Sequence, residues 1–190
     1  MLFRSLADAE ANRVRISKSG AGVLYWSAHI EYFSTKQKLE RMGRVSLNLL
    51  RQYFRLVPGR EGDKIVYTLE PLQGTLAPGD VLVVRLTMSG GPWRYLMVED
   101  PIPAGTEFIE RDDLYEIKSK PDWWNYWYTR REFHDDHAAL FQTYFSGQTQ
   151  YIYLLKVVNP GRFRVSPARA QPMYQPQYLT TTESQTVEVK

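Results

Sequence analysis

The sequence predicts an all-β chain folded as an antiparallel sandwich, and three observations carry that expectation. Aromatic content is high at 14%, with 13 Tyr and 5 Trp, and such side chains favour a pleated, half-buried surface. Gly 12 and Pro 11 interrupt the chain often. Between the interruptions lie short runs rich in Val, Leu, Ile, Tyr and Thr, spaced as the strands of a sandwich are. With 190 residues, 43% of them hydrophobic, the chain is long enough for one domain with a core of its own and an appendage.

The elements follow in order. Arg13-Val-Arg-Ile-Ser17 alternates polar and apolar residues, and residues 23–33 resume an apolar pattern after the turn signal Ser19-Gly-Ala-Gly22, so the two read as a hairpin. Residues 36–44 are basic and aperiodic and read as a junction. From Val45 onward, strands are expected over 45–56, 64–69, 81–88, 93–100, 108–109, 126–133, 138–144, 150–158, 161–165 and 186–189. Leu76-Ala-Pro-Gly-Asp80 delivers the chain abruptly into the 81–88 strand, because Pro presets φ and Gly accepts positive φ. Ser146-Gly-Gln-Thr-Gln-Tyr151 sets an aromatic hydroxyl shortly after a turn, as a tyrosine corner does in immunoglobulin-like sandwiches. Residues 137–145 also fit a short helix with Asp136 as N-cap. Residues 166–180, with three prolines, form a long connection without periodicity, and such loops are often functional. There Met173 and Tyr174, between Pro172 and Pro176, read as two apolar side chains in a stiffened presentation.

Charge and composition exclude several function classes. Residues 1–43 carry 7 Lys+Arg against 4 Asp+Glu, whereas residues 44–190 carry 17 of each, interleaved, where a nucleic-acid binder concentrates cations on one face. With Cys 0, the chain has no disulfide, thiolate nucleophile, Fe–S cluster or Cys-based zinc site. The first residues lack the basic and apolar regions of an export signal, and no run is long enough to span a bilayer, so a soluble chain is expected.

Few residues group as chemistry requires. His134-Asp-Asp-His137 has metal-ligand residue types, but in a strand its members alternate faces, and His29 is the remaining histidine, so a charged turn is expected and no metal or cofactor is assigned. Glu99-Asp100 and Asp112-Asp113 are adjacent carboxylates that diverge rather than flank one bond. No nucleophile elbow, P-loop or Rossmann glycine pattern occurs, which points away from an enzyme. In Asp122-Trp-Trp-Asn-Tyr-Trp-Tyr128, the rings of Trp123, Trp124, Tyr126, Trp127 and Tyr128 combine apolar area with polar tips. They suit an interface or core, and also a sugar-stacking platform.

Four phrases then line up with one family. They are Val98-Glu-Asp-Pro-Ile-Pro-Ala-Gly-Thr-Glu-Phe108, Arg131-Glu-Phe-His-Asp-Asp-His-Ala-Ala-Leu-Phe141, the stretch 147–153, and Pro160-Gly-Arg-Phe-Arg-Val-Ser-Pro-Ala-Arg-Ala-Gln-Pro-Met-Tyr174. In this order they resemble the C-terminal macroglobulin-like domain of bacterial alpha-2-macroglobulins, over about Val45 to Lys190, within a domain expected to span residues 44–190. Val23-Leu-Tyr-Trp-Ser-Ala28 resembles the closing strand of the preceding CUB-like domain, which residues 1–43 would end. The resemblance implies an immunoglobulin- or fibronectin-like sandwich that is non-catalytic and needs no cofactor. Its host would be a protease-trapping inhibitor of the periplasm or cell envelope. Its partners would be the thioester domain and other domains of the same polypeptide and, for the whole inhibitor, target proteases. By the same resemblance Met173 and Tyr174 belong to the cover over the thioester, although His137 stands where relatives more often have Arg. The alternative is a free-standing binding module whose aromatic surface takes a glycan or a protein.

Overall fold

The computed structural model describes residues 15–26, 41, 43, 46–118 and 130–190. The chain divides into two units, Met1–Thr35 and Lys36–Lys190. In the first, the turn signal forms a bend at residues 20–22, and Lys18 Nζ donates to the carbonyls of Gly20, Ala21 and Gly22 at 2.9–3.0 Å. Val23, Leu24, Tyr25 and Trp26 are exposed. Residues 15–19 and 23–26 carry no strand pairing, and the rest of the expected hairpin lies outside the described residues.

Among the described residues the second unit has ten strands, paired antiparallel: β1 (Leu47–Glu61), β2 (Lys64–Pro71), β3 (Val81–Pro101), β4 (Thr106–Phe108), β5 (Arg130–Phe133), β6 (His137–Val157), β7 (Gly161–Val165), β8 (Arg169–Pro172), β9 (Thr180–Thr181) and β10 (Gln185–Val189). Its backbone is β3 against β6, paired from Val81↔Lys156 to Pro101↔His137. Along one half, β1 and β2 add on the β3 side and β4 on the β6 side; along the other, β8 and β9 add beside β3 and β5 beside β6. The separate β7–β10 pair turns Val165, Val187 and Val189 into the same core.

Two expected pairs of strands are each one. Residues 81–88 and 93–100 join as β3, and residues 138–144 and 150–158 join as β6, which replaces the helical alternative for 137–145. The reason is local. Gly90 and Gly91 take φ of +128° and +98°, so the strand bends with a register shift between Gly90 and Trp93 while the ladder continues on both sides. A Cβ on Gly90 would collide with the Ser46 carbonyl, and one on Gly91 with the Phe145 carbonyl, so backbone passes close where a side chain would block it. The 166–180 connection is also less irregular than its prolines imply, since β8 and β9 lie within it.

Alternation along these strands builds two cores. Leu82, Val84, Leu86 and Met88 of β3 join Tyr151, Tyr153, Leu155 and Val157 of β6 in the larger cluster, with Leu96, Val98 and Leu140 from beyond the bend. Val83, Ile152 and Leu154, on the opposite face, pack with Phe54, Leu56 and Ile117. Burying one such side chain stabilises by about 1.5–3 kcal/mol.

Among the described residues, one ion pair is buried in the interior, Arg51 with Asp100. Arg51 Nη1 donates to Asp100 Oδ1 at 2.7 Å, Tyr153 OH donates to Asp100 Oδ2 at 2.6 Å, and Arg51 Nε donates to Gln185 Oε1 at 2.8 Å. The two charged side chains are 0% and 1% exposed, so water screens neither. Burial pushes the Asp100 carboxyl up, opposed by Arg51 and by the Tyr153 hydroxyl. Burial likewise pushes the phenols of Tyr53, Tyr151 and Tyr153 well above the ordinary tyrosine value.

These phenols set an alkaline limit. In the unfolded chain they ionise near pH 10, whereas in the fold they keep their protons. Their contribution is therefore fully present below about pH 10 and declines above it, by about 1.4 kcal/mol per pH unit for each of them. Urea midpoints taken between about pH 8 and about pH 11 should fall only over the upper part of that range, with phenolate absorbance appearing together with unfolding. A midpoint that stays level through the alkaline range would contradict the burial of these hydroxyls.

Candidate functional site

Met173 and Tyr174 sit where β8 ends. Arg169 Nε holds Glu99 Oε2 at 2.7 Å, the ladder runs from Glu99↔Arg169 to Leu96↔Pro172, and Met173 N–H then donates to the Tyr95 carbonyl at 2.8 Å. A turn follows, closed by Gln175 N–H on the Pro172 carbonyl at 3.0 Å. Pro176–Tyr178 makes one 3-10 turn, and the chain returns in β9, where Thr180 and Thr181 pair with Ala170 and Arg169. The segment is thus a short excursion tied at both ends, and its tip is open: Met173 is 47% exposed and Tyr174 77%.

Aromatic side chains from β3 and β6 support this tip. Tyr174 meets Tyr95 edge to face, with ring centroids 5.4 Å apart and planes at 88°. Trp93 packs on Tyr178 at 4.8 Å, and the Arg94 guanidinium lies 5.9 Å from the Tyr144 ring centre. Between them runs an open groove of about 590 Å³, with Pro92, Trp93, Tyr95, Tyr144 and Tyr174 along its walls. Tyr95 has φ +54°, the one non-glycine residue with positive φ among the described residues, a conformation that costs a residue with a Cβ about 1–2 kcal/mol. Tyr95 and Tyr144 are about half exposed and line this groove together with Tyr174, while Met173 is exposed next to Tyr174 in the chain.

The other candidates separate. His134 and His137 close the turn between β5 and β6, with His134 N–H donating to the His137 carbonyl at 2.9 Å and the rings stacked 4.5 Å apart at 15°. His137 Nδ1 lies 2.6 Å from Asp136 Oδ1, and this hydrogen bond holds the exposed Asp136 carboxyl below its ordinary value. Among the described residues no three His, Cys, Asp or Glu gather as a metal site requires. Adjacent carboxylates diverge as expected: Glu99 meets Arg169 while Asp100 meets Arg51, and Asp112 faces Arg131 while Asp113 faces Arg111. The Tyr151 hydroxyl donates to Gln142 Oε1. Trp123, Trp124, Tyr126, Trp127 and Tyr128 lie outside the described residues. No helix among the described residues is long and apolar enough to cross a membrane.

Sequence reasoning misses Tyr95, Tyr144, Trp93 and Tyr178 as parts of the Met173–Tyr174 surface. Ser89-Gly-Gly-Pro-Trp93 was the available signal, since paired glycines before a tryptophan mark a bend that re-aims side chains.

Known proteins agree with this architecture. A curated alpha-2-macroglobulin from Thermotoga maritima is 36% identical over 104 residues, which is 50% of this chain and 6% of that protein. Escherichia coli alpha-2-macroglobulin activated by porcine elastase superposes with a TM-score of 0.67 at 19% identity, covering 80% of this chain and 14% of the other. Salmonella alpha-2-macroglobulin reacted with methylamine gives 0.60 at 21% identity, covering 80% and 10%. The chain thus spans a small part of each of these proteins. The model of the bacterial alpha-2-macroglobulin MG10 domain matches residues 47–177, from β1 through the Met173–Tyr174 tip, and the chain belongs to that family.

Proposed function

We propose that this chain is the non-catalytic C-terminal macroglobulin-like module of a bacterial alpha-2-macroglobulin-type protease inhibitor of the periplasm or cell envelope. Residues 1–43 end the preceding CUB-like domain, and residues 44–190 dock on the thioester domain of the same polypeptide. The observation that carries this reading is the exposed Met173–Tyr174 tip, held on an aromatic surface in a domain of the MG10 family. A thioester is an activated acyl group that water and amines destroy, so it persists only where side chains exclude both. Met and Tyr suit that task, the first adapting its shape and the second offering a broad ring with a polar edge. With Cys 0, the covalent chemistry belongs to another part of the molecule. Support also comes from relatives, since the Salmonella protein reacts with methylamine and the Escherichia coli protein is activated by elastase. Replacing Tyr174 by Gly in the whole inhibitor tests the reading, with methylamine uptake and thiol release as the measurement.

A further inference from the structure

We infer that Tyr95 on β3 is the positioning residue that holds the Met173–Tyr174 tip in its covering pose, an inference that rests on the covering role proposed above. Tyr95 occupies a backbone conformation, φ +54°, in which glycine is favoured and a bulky residue is strained. Core packing does not account for a tyrosine there, because the residue is 46% exposed. Beyond the bend at Gly90–Trp93 the register is kept across Tyr95, with Arg94 opposite Tyr144 and Leu96 opposite Gln142. Tyr95 serves the tip twice. The Tyr95 carbonyl takes the Met173 N–H at 2.8 Å just beyond the last β8 pair, Leu96↔Pro172, and the Tyr95 and Tyr174 rings meet edge to face with centroids 5.4 Å apart. The backbone contact sets where the tip leaves the sheet, and the ring contact sets where Tyr174 points. Tyr174 is otherwise 77% exposed, so without that ring it samples other rotamers.

The test uses the whole inhibitor and compares methylamine uptake among Tyr95→Gly, Tyr95→Phe, Tyr174→Gly and the double glycine variant. Tyr95→Gly keeps the backbone conformation and its carbonyl but removes the ring. It should raise uptake about three- to tenfold, the scale of one lost aromatic pair, while leaving the melting temperature unchanged or higher. Tyr95→Phe keeps the ring and should behave as wild type, and the double variant should react no faster than Tyr174→Gly. A purely structural role predicts the opposite pairing, with protection following stability. Wild-type uptake in Tyr95→Gly, together with fast uptake in Tyr174→Gly, overturns the positioning role and leaves the cover standing; so do effects that multiply in the double variant. A second readout separates the two ideas. With fluorotyrosine at position 174 of the 190-residue chain, the fluorine resonance should move on Tyr95→Gly and return with Tyr95→Phe. An unmoved resonance overturns the positioning role whatever the uptake rates.

Discussion

Arg51→Met should destabilise the sandwich by about 3–5 kcal/mol, the range for removing one partner of a buried ion pair. Arg51 and Asp100 are 0% and 1% exposed, so the carboxylate left behind has no water to turn to. The guanidinium also reaches Gln185 and the carbonyls of Pro101 and Glu183, joining β1, the end of β3 and the entry to β10. Replacing both charged residues, Arg51→Met with Asp100→Leu, should recover much of the loss, because no unpaired charge then remains. Denaturant midpoints of the single and double variants give the comparison. A single variant that loses less than about 1 kcal/mol would mean that the pair is solvated and that the strands are not tied through it.

Tyr174→Gly should have the largest effect on the proposed activity. An aromatic anchor at the centre of a protein contact contributes about 2 kcal/mol or more. Its loss should raise the population in which the thioester is uncovered, and with it methylamine uptake, by about thirtyfold. The fold itself should barely respond, since Tyr174 is 77% exposed and, among the described residues, its ring contact is with Tyr95. Unchanged uptake in both Tyr174→Gly and Met173→Ala would remove the covering role.

The sandwich was legible in the sequence because its strands are short runs of apolar and aromatic residues separated by Gly, Pro and Asp turns. Residues 161–165 match β7, and 64–69 lie within β2. What was not legible depended on pairing at long range. Ser89-Gly-Gly-Pro92 and Ser146-Gly147 carry turn chemistry, yet each bends a strand that stays paired to the other, an outcome set by the opposite strand. Arg169–Pro172 is too short, and too close to prolines, to signal a strand by itself, and it becomes one by pairing with Leu96–Glu99 of β3. The same holds at the surface. Met173 and Tyr174 stood out between prolines, but the Tyr95 ring that meets Tyr174 lies 79 positions earlier and is brought there by the register of β8 on β3. Arg51 and Asp100 read as ordinary charges in mixed segments, and only the fold shows them facing each other in the core.

Photo-crosslinking from position 174 in the whole inhibitor, with benzoylphenylalanine in place of Tyr174, asks most directly what this surface covers. Before protease cleavage the adducts should map to thioester-domain peptides, and after cleavage their yield should fall as the cover is withdrawn. Adducts confined to other regions, or a yield that protease cleavage leaves unchanged, would contradict docking of this tip over the thioester.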